Sequence, residues 1–231
     1  MKHLTIISVI AAVLAVTSCG PSRYTANVNL SAIDEFAFIE PHARVTYYET
    51  KKGYYNDQLS ADAARVLNTV ISLERYPFSD VIEMDYQGED SNIRKWMESF
   101  PDVDPARAGR LRVPKDLCRV IEDSGHRYGV LVYSYGYIQS EEARRMERLE
   151  KAVDKVLEAA VEKMTGEKST SSSSSSTSSP YGNVMYCAVV DAQEAEVVHF
   201  VQEVPFFASH PTDRADVSSL SQSLLKDLFK K

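Results

Sequence analysis

Residues 169–179 contain nothing but Ser and Thr, and that tract constrains the fold more than any other stretch of the chain. It has no apolar side chain to bury and no reason to order, so it reads as a flexible surface loop. Beyond it lie two apolar β runs, Val184 to Asp191 and Val197 to Val204, joined as a hairpin by Ala192-Gln193-Glu194-Ala195-Glu196 and stopped by Pro205. Two strands make no stable sheet of their own. The tract is therefore an insertion, at about residues 167–181, and the strands after it complete a sheet begun before it. Long insertions in surface loops cost little entropy as they lengthen.

The earlier members of that sheet are readable. Ile33 to Ile39 is a short apolar run ended by Pro41, and Val81 to Tyr86 alternates as a strand does. Tyr128 to Ile138 is apolar on both faces near Val130–Tyr133, the mark of a central strand covered by helices. Helical spacing runs from Ser60, a candidate N-cap, through Ala63, Val66, Leu67, Val70 and Leu73, with Pro77 as its limit. Ile93, Trp96 and Met97 mark a short helix, and Pro114 opens another whose apolar face is Leu117, Val120 and Ile121. Residues 141–165 carry Met146, Leu149, Val153, Val156, Ala160 and Met164 at steps of three and four, with charges of both signs opposite. This stripe predicts a helix packed on the core. Pro211-Thr212-Asp213 introduces a last helix with Val217, Leu220, Leu224 and Leu228 on one face. The sum is an α/β (α+β) fold: a single domain over residues 31–231, with a mixed β-sheet of about five strands covered by amphipathic helices.

The amino-terminal end carries a different message. Lys2 and His3 precede an apolar run from Leu4 to Val16, and the small residues Thr17 and Ser18 stand before Cys19. Residues 1–18 read as a secretion signal, the run being too short for the ~20 residues of a spanning helix. Val16-Thr17-Ser18-Cys19 resembles the bacterial lipobox, which implies cleavage before Cys19 and lipidation of that residue as the mature amino terminus. Residues 19–30 then form a tether. Gly20, Pro21, Ser22 and Arg23 include no aspartate, which by resemblance to known sorting rules implies the outer membrane and its periplasmic face.

Removing residues 1–18 takes away one Lys and leaves 25 basic against 33 acidic side chains, a formal charge of −8. A mildly acidic chain with no basic cluster has no electrostatic footprint for nucleic acid. Cys118 and Cys187 remain once Cys19 is lipidated. An oxidising envelope would let them pair as a disulfide; a helical Cys118 and an apolar-strand Cys187 equally suit free buried thiols.

Residues with chemistry are scattered. His42, His126, His199 and His210 each stand alone, without a His or Cys at ligand spacing, so no metal and no cofactor is expected. Gly-x-Ser-x-Gly is absent, and no glycine-rich phosphate loop occurs. Adjacent carboxylates such as Asp34-Glu35 and Glu141-Glu142 do not face one another and read as solvated surface. Tyrosine is the enriched recognition residue. Tyr133, Tyr135 and Tyr137 share one strand face and are expected under a helix, whereas Tyr47, Tyr48, Tyr54 and Tyr55 crowd a loop or irregular hairpin around Lys51, Lys52 and Gly53. Those four are the candidate partner-binding residues, because tyrosine gives rigid contact area with a polar tip.

Three segments carry a resemblance: Tyr128-Gly-Val-Leu-Val-Tyr133, the hairpin Val189-Val-Asp191 to Val197-Val-His-Phe200, and Pro211-Thr-Asp213. Together with the order of elements they are similar to envelope lipoproteins with a TolB amino-terminal-like domain, including lipoprotein activators of penicillin-binding proteins. The resemblance implies an α/β sandwich that binds other envelope proteins and catalyses nothing. The sequence thus predicts an envelope binding or scaffolding lipoprotein. The alternatives are an envelope hydrolase or glycan-active enzyme, and a surface structural or adhesion subunit.

Overall fold

A computed structural model describes residues 22–73, 76, 78–84, 86, 91–165, 179–226, 228 and 229. The signal, Cys19 and most of the Ser/Thr tract lie outside the described residues. The chain runs β1 (Ser22–Thr25), β2 (Phe36–Ile39), β3 (His42–Tyr48), β4 (Gly53–Tyr55), α1 (Asp57–Leu73), β5 (Phe78–Ile82), α2 (Ser91–Glu98) and α3 (Lys115–Asp123). It continues with β6 (Tyr128–Gln139), α4 (Glu141–Thr165), β7 (Tyr181–Asp191), β8 (Glu196–Glu203) and α5 (Arg214–Leu225). Short 3-10 turns at Phe100–Asp102 and Pro105–Arg110 join α2 to α3.

Among the described residues there are eight strands, and all belong to one mixed sheet. From one edge the order is β1, β8, β7, β6, every pair antiparallel. The other side of β6 takes two parallel partners end to end: Ala37 and Phe38 of β2 face Gly129 and Val130, and His42–Tyr48 of β3 face Tyr133–Gln139. β2 and β3 are thus one strand line broken at Glu40–Pro41, where the proline has no N–H to give to a ladder. Outside this line the edge forks. β5 lies parallel to β2, β4 lies antiparallel to β3, and a window opens between them.

The strand count exceeds the five expected, and the reason is physical. β1 falls in what reads as tether, and β3 with β4 fall in the tyrosine-rich loop. Edge strands are fixed by backbone pairing, which is indifferent to side-chain pattern. Likewise β5 begins at Phe78, earlier than the alternation places it, because its register follows β2.

Two apolar clusters cover the two faces. On one, Ala37, Ile39, Leu131, Tyr133, Tyr186, Ala188 and Phe200 meet Ile93, Met97, Phe100, Leu117 and Ile121 from α2, α3 and the turns. On the other, Phe36, Phe38, Val130, Val132, Cys187 and Val189 meet Leu67, Val70 and Ile71 of α1 and Val217, Leu220 and Leu224 of α5. The result is a three-layer α/β/α sandwich whose central strands are apolar on both faces. The hairpin after the Ser/Thr tract completes the sheet: β7 pairs with β6 along its length, from Tyr128↔Asp191 to Ile138↔Tyr181.

One local expectation is corrected, and one open alternative is decided. Asn56, not Ser60, caps α1: its Oδ1 accepts from the Leu59 N–H at 2.9 Å, while the Ser60 hydroxyl donates to the Asn56 carbonyl. The Cys118–Cys187 pairing is not made; both are free, buried thiols. Cys118 belongs to the cluster on one face and Cys187 to the cluster on the other, so the sheet stands between them and no bridge of ordinary length can form. Burial pushes both thiols above the usual pKa.

The largest correction is α4. Ser140 caps it, its Oγ accepting from the Ala143 N–H at 3.0 Å, and Glu141 and Glu142 suit the positive end of the helix. Ala143 is buried, yet Met146, Leu149 and Val153 are exposed; the side chains of Val156, Ala160 and Met164, the rest of the expected stripe, lie outside the described residues. Beyond its first turn an ion pair between the largely exposed Lys51 and Glu150 side chains, at 2.7 Å, links the helix to the turn between β3 and β4. It leaves the sandwich as an arm because α2, α3 and the turns already occupy one face, and α1 and α5 the other.

Candidate functional site

The window in the forked edge is the floor of a cleft of about 650 Å³, lined by Glu40, His42, Arg44, Tyr55, Tyr86 and Glu98 among others. The break at Glu40–Pro41 creates it, since neither β4 nor β5 reaches across residues 41–44. The flanking backbone is satisfied. Glu40 N–H donates to the Ile82 carbonyl at 2.9 Å, and Val45 N–H donates to Ser60 Oγ at 2.8 Å. Glu40 Oε2 accepts from the Met84 N–H at 2.9 Å, and the Tyr86 hydroxyl donates to the Glu40 carbonyl.

His42 sits at the centre. Its ring stacks on Tyr133, with centroids 5.7 Å apart, and tilts against Tyr86 at 4.9 Å. Its Nε2 lies 3.3 Å from one Glu98 oxygen, and Arg44 Nη1 donates to the other oxygen at 3.3 Å. A carboxylate only accepts, so Nε2 carries the proton in this arrangement. Arg44 also lies over the Tyr55 ring, 5.3 Å from its centroid. Burial lowers the His42 pKa below 6.5, outweighing Glu98, with Arg94 and Arg44 pushing the same way. The imidazole is therefore neutral at neutral pH. Beneath it the Tyr133 hydroxyl is buried without a partner among the described residues, and desolvation raises its pKa.

This arrangement offers fixed donors, fixed acceptors and two aromatic walls, which suits recognition of a polar ligand. Ser60, the serine lining the cleft, has its hydroxyl committed to the Asn56 carbonyl and the Val45 N–H. Among the described residues no three His, Cys, Asp or Glu side chains gather to hold a metal ion.

The four tyrosines of the predicted partner-binding loop are brought together on β3 and β4 but do not form one surface. Tyr47 and Tyr54 pair across the strands edge to face at 5.7 Å, and Tyr48 meets Tyr137 edge-on at 6.2 Å. Tyr54 and Tyr55 are exposed, whereas Tyr47 and Tyr48 are half-buried; of the four, Tyr55 lines the cleft. On β6 the expectation of a helical cover holds at Tyr133, which is fully buried, and fails at Tyr135, which is exposed, while Tyr137 is half-buried against Tyr48. Sequence reasoning missed His42, Arg44 and Glu98. His42 and Glu98 are separated by 56 positions and join only because β3 and α2 meet at the window.

A scan of family models finds no match, and no curated protein matches. Solved structures similar to this chain include a point variant of the PelC dodecamer from Paraburkholderia phytofirmans. It is 8% identical over 92% of this chain and 99% of that chain, with a TM-score of 0.38. The PelC dodecamer of the same organism in a second crystal form gives 8% identity, 92% and 98% coverage and a TM-score of 0.37.

Proposed function

We propose that this chain is a lipid-anchored envelope protein, acylated at Cys19 and held at the periplasmic face of the outer membrane. It binds or scaffolds other envelope components and catalyses nothing itself. The resemblance to TolB amino-terminal-like lipoproteins supports the reading. The single observation that carries it is the arm α4, whose apolar residues Met146, Leu149 and Val153 face solvent.

At ~1.5 Å per residue the 25 residues of α4 extend roughly 37 Å. The sequence continues the stripe through Val156, Ala160 and Met164. Residues 166–178, the part of the chain that follows the arm, contain Gly, Glu, Lys, Ser and Thr and so have nothing with which to cover it. Its charged residues, seven acidic and six basic, are interleaved rather than basic, unlike a helix that lies on anionic lipid. An apolar stripe at helical spacing, charged on its flanks, is the surface a partner protein's helix or groove takes.

The test is a photo-crosslinking residue in place of Leu149 in intact cells. A discrete protein adduct that Leu149→Glu with Val153→Glu removes is expected; uncrosslinked protein throughout would contradict the reading. In vesicles with brominated acyl chains, Leu149→Trp fluorescence should stay unquenched, since quenching would assign the arm to lipid. The His42–Glu98 pair favours one second reading, an envelope hydrolase or glycan-active enzyme. Turnover of envelope glycan by the purified protein, lost in Glu98→Gln, would establish it instead.

A further inference from the structure

β8 ends at Glu203, and the five residues that follow, Val204-Pro205-Phe206-Phe207-Ala208, carry no charge. Phe206 is 90% exposed and Phe207 80%, and Val204 is exposed beside them. The two rings meet edge to face at 5.0 Å. Exposed apolar side chains of this size, clustered on one loop, mark a contact that the folded chain does not itself supply.

What that contact is follows from the register of β1. β1 pairs with β8 antiparallel, Ser22 opposite Gln202. Ser22, the first residue of β1, therefore lies at the same end of the sheet at which β8 delivers the phenylalanine loop. Cys19 is three residues before Ser22, a reach of at most ~11 Å, and Phe206 is four residues after Gln202, at most ~14 Å. Acyl chains on Cys19 would hold that end of the sandwich against a bilayer, and the loop would arrive at the headgroups with it.

We propose that Phe206 and Phe207 insert into the leaflet that holds the Cys19 acyl chains, as a second membrane contact that sets the orientation of the domain. Aromatic rings favour the membrane–water interface, and an uncharged loop pays no charge-desolvation penalty on entering it. Two contacts stop the sandwich from swivelling on its tether. The far end of the sheet, where β2 and β5 begin, then faces away from the bilayer, while the root of α4, at the near end, meets its partner close to the membrane. This proposal rests on the lipid-anchor reading and adds to it the geometry of attachment.

The experiment uses the full-length lipidated protein in vesicles of phosphatidylethanolamine and phosphatidylglycerol, made with or without brominated acyl chains. Trp96, the single tryptophan, is buried and gives the baseline. Phe206→Trp and Phe207→Trp are compared with Leu73→Trp, an exposed site at the close of α1, shortly before β5 starts at the far end. Insertion to a depth of ~5–10 Å should lower the added emission at 206 and 207 about twofold or more in brominated vesicles and leave 73 at baseline. Each variant is first shown to keep the wild-type urea midpoint. Protein that floats with the vesicles but shows no quenching at 206 or 207, or equal quenching at 73, would overturn the proposal and leave the anchor standing. Protein that does not float at all would overturn both.

Discussion

Replacing Leu149 and Val153 together with glutamate separates a solvent-facing arm from a packed helix. Leu149 is 62% exposed and Val153 59%, so roughly two-fifths of each side chain is covered by the protein. Full burial of such a side chain contributes ~1.5–3 kcal/mol, which caps the loss at about 1 kcal/mol per site. Glutamate has nearly the helix propensity of leucine, and the new like charges four residues apart cost about 0.5 kcal/mol or less. The double variant should thus unfold in urea with a stability within about 2.5 kcal/mol of wild type and an unchanged slope. Leu131, fully buried in the sheet, is the control: Leu131→Ala should cost ~2–5 kcal/mol. If the stripe were core, two buried charges would lose more than the control does. A loss above about 3 kcal/mol for the double variant would refute the reasoning, because no solvent-facing pair can supply it.

Other expectations are as direct. Phe100 is fully buried and meets Trp96, Tyr133 and Phe200 edge to face at 4.9, 6.1 and 5.3 Å, so Phe100→Ala should cost ~3–5 kcal/mol in the same urea assay. The His42 pKa is lower in the folded state than its ordinary 6.5, so the unfolded chain binds more protons in the interval between the two values. Its contribution is complete above pH 6.5 and is lost as pH falls through the folded value. Melting should therefore fall more steeply with acidification in wild type than in His42→Asn, and parallel pH profiles would contradict the assignment. Cys118 and Cys187 should resist a thiol reagent in the native protein and both react in urea; a disulfide found under non-reducing conditions would contradict their placement on opposite faces of the sheet.

The sequence made legible what depends on side-chain pattern. The double-sided apolar runs of β6 and β7 identified the centre of the sheet, and Pro211-Thr212-Asp213 identified the start of α5, where Asp213 accepts from the Ala215 and Asp216 N–H groups. What it hid depends on backbone pairing and on distant neighbours. Ser22–Thr25 has no pattern of its own, and only the edge of β8 makes it a strand. The periodicity of α4 revealed an apolar stripe but not its occupant, since a packed helix and an unpartnered one share the same spacing. The tyrosine cluster was visible, yet whether each ring caps the sheet or faces solvent was set by pairing, Tyr48 against Tyr137 and Tyr55 against Arg44. The cleft residues carried no local signal. Val204-Pro205-Phe206-Phe207-Ala208 was readable as an uncharged run, but its meaning comes from lying beside the start of β1.

Anchoring at Cys19 underlies both the proposed function and the orientation at the membrane, and the mass of the mature amino-terminal peptide tests it most directly. The membrane-derived peptide is expected to begin at Cys19 and carry acyl chains, with Cys19→Ser leaving an unprocessed or unanchored protein. A mature peptide that begins elsewhere, or begins at Cys19 with no acyl mass, would contradict it.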